Sequence, residues 1–313
     1  MNILVFGKDG QIGRAFQGQL KHSLFQKGNS IYFVGRSECD LSVKNEITNL
    51  LNDFKPRLII NAAAYTAVDM AESESGLALS INATAPEVMA QYASLHGTAL
   101  IHFSTDYVFD GSKQGSYIEA DKTNPLGVYG KSKEKGEKAI AATFAKNSVG
   151  QYAIFRTSWV YGDGSNFIHT ILRLAKERSI LRIIHDQYGV PTGASWLAEL
   201  ACNLALKDGQ LRQFISGIYH AVPRGVTNWY GVACLALQSA IDAGVILQAT
   251  PASIQPILAT EYPLPALRPM NSRLSTNKLQ IELERLDLVS KLPHWNTPWD
   301  EQVTAYVKQL SKN

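Results

Sequence analysis

Tyr129 and Lys133, in the stretch VYGKSKEKGEK that begins at Val128, are the first residues whose types and spacing suggest chemistry. On a helix, positions i and i+4 share a face, so a phenol and an ammonium so spaced meet at one site. The ammonium favours the phenolate and draws a phenol of pKa about 10 towards working pH. Tyr129 is then a candidate general acid and Lys133 its partner. Tyr129 is the one tyrosine of thirteen with lysine at i+4. A chain of this size supplies roughly one such pair by chance, so the surroundings must decide between catalysis and a solvated helix face. Lys131, Lys135 and Lys138 read as plain solvated charges. Upstream, HFSTDYVFDG puts Ser104 and Thr105 at the end of an apolar run, where either hydroxyl is suited to polarise a substrate carbonyl.

These groups need a scaffold, and the first half of the chain describes one. Apolar, β-rich runs at Ile3–Phe6, Ile31–Val34, Leu58–Ile60, Ala99–Phe103 and Tyr152–Arg156 alternate with helical stretches near 11–20, 43–53, 76–96 and 130–145. Short, continuously apolar strands separated by helices predict an α/β fold, a doubly wound parallel sheet of Rossmann type with a smaller C-terminal substrate-binding lobe. Further helices are expected at 166–178, 193–207 and 228–243, a strand at Gly217–Ala221, and loops over the proline-rich 250–275. The division predicted is a dinucleotide-binding domain over 1–165, with 192–222 returning to it, and a sugar-nucleotide lobe from 166–191 and 223–313.

The first strand ends in GKDGQIG, which sets Gly7, Gly10 and Gly13 three apart. The pattern meets three needs: a tight turn, close backbone approach to a diphosphate, and close helix–strand packing, with the diphosphate at a helix N-terminus. The spacing alone is weak; its place after an N-terminal strand carries the inference. Ala62, Ala63 and Ala64 after the third strand are small enough to let a cofactor lie close to the backbone. At the tip of the second strand an acidic residue would hold a ribose 2′-hydroxyl, but Gly35, Arg36 and Ser37 stand there instead. Arg36 can pair with a 2′-phosphate, which favours NADPH over NADH; the alternative is a solvated arginine.

Composition excludes other classes. With 45% hydrophobic and 18% charged residues over 313 positions the chain can bury a sizeable core. A formal charge of +3 leaves no nucleic-acid footprint. No apolar run approaches the roughly 18 residues that span a bilayer, so no membrane partner is expected. MNILVFG lacks a basic n-region and so no signal peptide is read there. Three separated cysteines, Cys39, Cys202 and Cys234, fit a reducing, cytoplasmic setting. The seven histidines show no metal-binding spacing, and no zinc site is assigned.

Seven motifs sharpen the reading: FGKDGQIG, NAAAYTAVDMAES, STDYVFDG, NPLGVYGKSK, FRTSWVYG, DQYGVPTGA and RPMNSRL. Together, from Gly7 to Leu274, they resemble the dTDP-4-dehydrorhamnose reductase family of the extended short-chain dehydrogenase/reductases. The resemblance implies reduction of the 4-keto group of dTDP-4-dehydro-L-rhamnose, with Tyr129 as proton donor and NADPH or NADH as hydride source. It also implies cofactor contacts from Gly10, Gln11, Ile12, Asp40, Leu41, Ala64, Tyr65, Thr66, Phe103, Tyr129 and Lys133. Thr105, Asp106 and Trp159 would face the sugar nucleotide, with Asn166, Phe167, Gln187, Pro191, Thr192, Arg268 and Asn271 as further contacts.

The chain departs from the family's best-known members, magnesium-dependent dimers whose metal is bridged by glutamates. Ala15 and Ser195 stand where two of those glutamates are expected, which argues against Mg2+ and for a monomer or weak homodimer. Two other functions fit the fold. A nucleotide-sugar epimerase or dehydratase shares the Tyr-Lys pair, but such dehydratases carry Thr-Asp-Glu after the fourth strand, and here Tyr107 follows Asp106. A non-catalytic NADP-binding regulatory subunit is the other, against which the intact Thr105, Tyr129 and Lys133 set speaks. UDP in place of dTDP stays open.

Overall fold

The computed structural model describes residues 1–21, 28–146, 149–292 and 294–312. A parallel sheet of six strands organises them: β1 (Asn2–Phe6), β2 (Ser30–Val34), β3 (Leu58–Asn61), β4 (Ala99–Thr105), β5 (Gln151–Thr157) and β6 (Gly217–His220). Their order is β6-β5-β4-β3-β1-β2. The chain leaves β1 towards one edge and returns to build the other from β3, so the crevice between β1 and β3 is the topological switch point where such sheets bind ligands.

Alternation along the strands fills both faces. Ile3 and Val5 join Phe16 and Leu20 of α1 (Gln11–Leu20) and Leu197 and Leu204 of α6 (Ala194–Ala205). Leu4 and Phe6 join Ile47 and Leu51 of α2 (Lys44–Phe54), Met89 and Ala93 of α3 (Ala85–His96) and Ile140 of α4 (Val128–Phe144). β3 and β4 are buried at every position, as expected of strands covered on both faces.

The helix predicted over 76–96 is not one helix. Ser75–Leu79 and α3 are joined by a wider, π-type turn over Ser80–Thr84. Pro86 lacks an N–H and its ring would strike the carbonyl of Asn82 four residues back; widening the turn relieves both. The freed Asn82 carbonyl then lies against α4, where a Cβ at Gly136 would sit 2.1 Å from its oxygen.

A third cluster gathers Ile168 and Ile171 of α5 (Phe167–Glu177), Val232 and Leu237 of α7 (Trp229–Asp242), and Val303 and Val307 of the C-terminal helix Trp299–Leu310. Within the stretch expected to be loops, Ile254–Ile257 forms a strand parallel to Leu181–Ile184. Helix α8 (Asn277–Arg285), unanticipated from the sequence like Trp299–Leu310, sends Leu279 and Leu283 into the cluster on the α1 side of the sheet. No helix among the described residues is long and apolar enough to cross a membrane.

Candidate active site

Beyond the carboxyl ends of β1 to β5 lies a cleft of about 720 Å³, well within the ordinary size range of ligand pockets. Its nucleotide end is built from backbone. Gly7 adopts φ +86°, and a Cβ there would lie 2.6 Å from the Ala63 nitrogen, so the turn after β1 touches the chain leaving β3. Gly10 caps α1 without any side-chain hydrogen bond. The first N–H groups of α1, at the positive end of the helix dipole, are therefore free to meet an anion in the cleft. Arg36 stands exposed on the wall. The segment just before it is braced by Glu38, which accepts the Gly35 N–H at 2.8 Å and pairs with Lys8. The Asp40 carboxyl accepts the N–H and O–H of Ser42, both at 2.8 Å, which holds it below the usual carboxylate range. A glycine cradle, an open helix terminus and a cation at the rim together fit a dinucleotide with a phosphorylated ribose.

The chemical end is built from side chains on β4 and α4. Gly130 lets α4 approach the turn after β4 so closely that a Cβ would be 2.2 Å from the Tyr107 carbonyl oxygen. Tyr129 thereby meets Tyr107 edge to face, at 5.6 Å and 77°, and lines the cleft together with Thr105. Thr105 donates to Asp106 at 2.9 Å and accepts the Tyr107 N–H at 3.2 Å. Burial pushes the Asp106 carboxyl up to about 6, against hydrogen bonds from Ser272 and Thr105. Ser104 Oγ and Thr157 Oγ1 are buried at the cleft with no partner among the described protein atoms.

Among the described residues no hydrogen bond joins Lys133 to the phenol, and burial pushes Tyr129 up to about 12, with Asp106 adding to the rise. The lysine nitrogen is held elsewhere, donating to the Phe103 carbonyl at 2.6 Å beside His102. Burial brings it down to about 8. Helical spacing put the two side chains on one face, but packing against β4 decided where the amine reached.

The wall opposite is aromatic. Trp159, at φ +48°, stacks on Trp229 with centroids 3.9 Å apart and 20° between planes. Phe167 backs Trp229 at 4.7 Å. Gly189 makes room, since a Cβ there would come 2.7 Å from the Trp159 ring. Asn166 caps α5 by accepting the His169 N–H and also lines the cleft.

Of the residues singled out in the sequence, Gly7, Gly10, Gln11, Ile12, Arg36, Asp40, Leu41, Ala63, Ala64, Thr66, Phe103, Thr105, Asp106, Tyr129, Lys133, Trp159 and Asn166 line this one cleft. Eight do not. Gly13 lies beneath the turn, packed on Gly7. The Tyr65 hydroxyl bonds Glu74, and Phe167 stands behind Trp229. Gln187, Pro191 and Thr192 are buried outside the cleft. Arg268 forms a two-pronged pair with Asp69, at 2.9 and 2.7 Å. Asn271 is spent on the carbonyls of Lys113 and Gly115. The sequence reading missed Asp9, Val34, Val68, Ile81, Tyr107, Thr157, Val160, Ser165 and Trp229. Thr157 ends β5, where inspecting strand ends would have found it; Trp229 and Ile81 carry no local signal.

The family model for the RmlD substrate binding domain matches residues 1–311. The dTDP-4-dehydrorhamnose reductase of Salmonella typhimurium is 44% identical over 299 residues, 94% of either chain. The chain belongs to the dTDP-4-dehydrorhamnose reductase family. Among solved structures, the dTDP-4-dehydrorhamnose reductase of Clostridium acetobutylicum superposes with a TM-score of 0.85 at 31% identity, covering 99% of both chains. That of Bacillus anthracis, in complex with NADP, gives 0.81 at 29% identity over 98% of both. Membership makes the chain an oxidoreductase with a nicotinamide cofactor, and the glycine cradle is the part of the cleft suited to hold it.

Proposed function

We propose that this chain uses NADPH to reduce the 4-keto group of dTDP-4-dehydro-β-L-rhamnose, giving dTDP-L-rhamnose in the last step of dTDP-rhamnose synthesis. The observation that carries this reading is that Thr105, Tyr129 and Lys133 line the same cleft as the glycine cradle. When bound, the cofactor supplies hydride to the carbonyl carbon. Gly7, Gly10, Gln11 and Ile12 would hold its diphosphate and Arg36 its 2′-phosphate, which favours NADPH; NADH remains usable at lower affinity. Thr105 and Tyr129 orient the carbonyl oxygen by hydrogen bonds, and the Tyr129 phenol, kept protonated by burial, gives its proton to the developing alkoxide. Trp159 and Trp229 offer a flat apolar wall to the sugar nucleotide.

The reading needs no Mg2+. Ala15 packs against the sheet cluster and Ser195 is exposed in the first turn of α6, so neither offers the carboxylate oxygens magnesium prefers. A monomer or weak homodimer in the cytoplasm completes the reading, and the buried, unpaired thiols of Cys39 and Cys202 suit a reducing compartment. So does a division with 1–165 and 192–222 around the cofactor and 166–191 and 223–313 around the sugar, α8 being packed on the sheet.

The test is conversion of the dTDP-4-keto sugar by NADPH, with and without a 3,5-epimerase, beside a UDP-linked analogue. Tyr129→Phe should keep NADPH binding and lower turnover by roughly two to four orders of magnitude, the scale of general acid catalysis. Unchanged single-turnover rates would remove Tyr129 from the mechanism.

A further inference from the structure

Gly35, Arg36 and Ser37 leave the tip of β2 without an acid of its own, yet two carboxylates reach it from elsewhere in the chain. Gly35, the first residue after β2, is buried. A Cβ on it would strike Asp9 Oδ2 and come 3.1 Å from Glu38 Oε2. Asp9 arrives from the glycine turn after β1, and Glu38 from the chain just beyond Arg36. Glycine at position 35 leaves room for both. Asp9, Gly35 and Arg36 all line the nucleotide end of the cleft.

The two carboxylates differ in what they are free to do. Glu38 is committed, since Oε1 pairs with Lys8 and Oε2 accepts the Gly35 N–H at 2.8 Å. Asp40, a third acid on the same wall, is committed to the N–H and O–H of Ser42. The Asp9 carboxylate is exposed and makes no hydrogen bond or ion pair among the described residues. Lys8, its neighbour in the chain, feels its charge, but Glu38 draws that ammonium away. Arg36 is exposed as well and acts on Asp40 without pairing with it. One unspent acid and one unspent base therefore stand beside the end of β2, where sheets of this kind meet the ribose of a dinucleotide.

The two forms of that ribose meet them differently. A 2′-hydroxyl has a proton to give, and a carboxylate is the acceptor that makes the stronger, charge-assisted bond. A 2′-phosphate brings negative charge and acceptor oxygens, so a guanidinium attracts it and a carboxylate repels it. We propose that Asp9 is a specificity-determining residue of the cofactor site, whose carboxylate accepts the 2′-hydroxyl of NADH and repels the 2′-phosphate of NADPH. Asp9 and Arg36 then set the cofactor preference from opposite sides. Only this opposition rests on Arg36 being the partner of the 2′-phosphate; the bond to the hydroxyl does not. Both groups are exposed, so water and salt limit each to a severalfold effect. NADH is thereby kept usable in a site whose cation favours NADPH.

Titrations of the substrate-free protein test this without any reduction taking place. NADPH and NADH are followed by fluorescence. Adenosine 2′,5′-bisphosphate, 5′-AMP and 2′-deoxy-5′-AMP, which carry the ribose end alone, are followed by calorimetry. The wild-type protein should bind 5′-AMP about threefold or more tighter than its 2′-deoxy form. Equal affinities would overturn the proposal whatever the variants do. Asp9→Asn keeps the size and an acceptor oxygen but removes the charge. It should tighten NADPH and the bisphosphate by about two- to fivefold and weaken NADH and 5′-AMP by a similar factor. Asp9→Ala removes the acceptor too; it should weaken NADH further and no longer tell 5′-AMP from 2′-deoxy-5′-AMP. An unchanged ratio of NADPH to NADH affinity in Asp9→Asn, or discrimination between the two fragments that survives in Asp9→Ala, overturns the proposal. Arg36→Ala separates the two readings. Undiminished NADPH affinity there would sink the phosphate contact of Arg36 alone, and the fragment comparison would still judge Asp9.

Discussion

Alanine at Gly13 should damage the nucleotide end of the cleft, whereas alanine at Gly18 on the same helix should not. A Cβ at Gly13 would lie 1.9 Å from the Gly7 carbonyl oxygen and 2.6 Å from its carbon. Real Cβ contacts essentially never fall below 3.0 Å, and the opposing atoms are backbone that no rotamer change can move aside. Helix α1 and the Gly7 turn must therefore separate, although Phe16 and Leu20 anchor the helix in the core. Overpacking of this kind costs about 1–3 kcal/mol of stability. The same separation withdraws the first N–H groups of α1 from the diphosphate. Losing one charge-assisted hydrogen bond, about 1.5–3 kcal/mol, weakens binding by about ten- to a hundred-fold. Gly18 is exposed, with nothing within 4 Å of the point a Cβ would occupy, and alanine there should stabilise the helix by about 0.5–1 kcal/mol with NADPH affinity unchanged. Fluorescence titration with NADPH and urea unfolding of both variants supply the numbers. Wild-type affinity and stability in Gly13→Ala, or an equal loss of affinity in Gly18→Ala, would refute the packing argument.

Arg36→Ala should weaken NADPH at least roughly tenfold and NADH little, because only NADPH carries the 2′-phosphate; equal losses in a titration of both would make Arg36 a bystander. Asp106, raised by burial to about 6 from an unfolded value near 3.9, contributes stability that is complete below about pH 4 and lost as pH rises through 6. The loss amounts to about 3 kcal/mol. Urea unfolding of Asp106→Asn across pH 4–7 should lack that decline; parallel profiles for wild type and variant would disprove it. Reductase activity should survive exhaustive EDTA treatment, and sedimentation should show no magnesium-dependent dimer; a dimer that dissociates only when magnesium is stripped would reveal ligands elsewhere in the chain.

The strands of the sheet could be read from the sequence because burial on both faces leaves an unbroken apolar run, as in Leu58–Ile60 before Asn61. The glycine cradle could be read because backbone contact admits only glycine, whatever the rest of the chain does. Other features left weaker traces. Pro256 argued for a loop, yet it lies within the Ile254–Ile257 strand of a two-stranded pair. The last helix went unread although its signals were present: Pro298 before it, Asp300 and Glu301 in its first turn and Val303 and Val307 four apart. The motif RPMNSRL marked a real constraint, but Arg268 and Asn271 satisfy it by tying chain segments together. A linear motif does not distinguish a ligand contact from an architectural one. Nor does i+4 spacing show where a lysine reaches once a neighbouring strand offers a carbonyl.

The indole wall also has an optical consequence. Two rings face to face at 3.9 Å and 20° share their excited states, so Trp159 and Trp229 absorb and emit as a unit. Trp196 and Trp295, 5.9 Å apart and outside the cleft, are coupled more weakly and report on the body of the protein. A sugar nucleotide that slides along Trp159 or parts the closer stack changes the near-ultraviolet circular dichroism of that pair and leaves the other as an internal reference. Occupancy of the sugar end can thus be followed in unlabelled protein, separately from the cofactor.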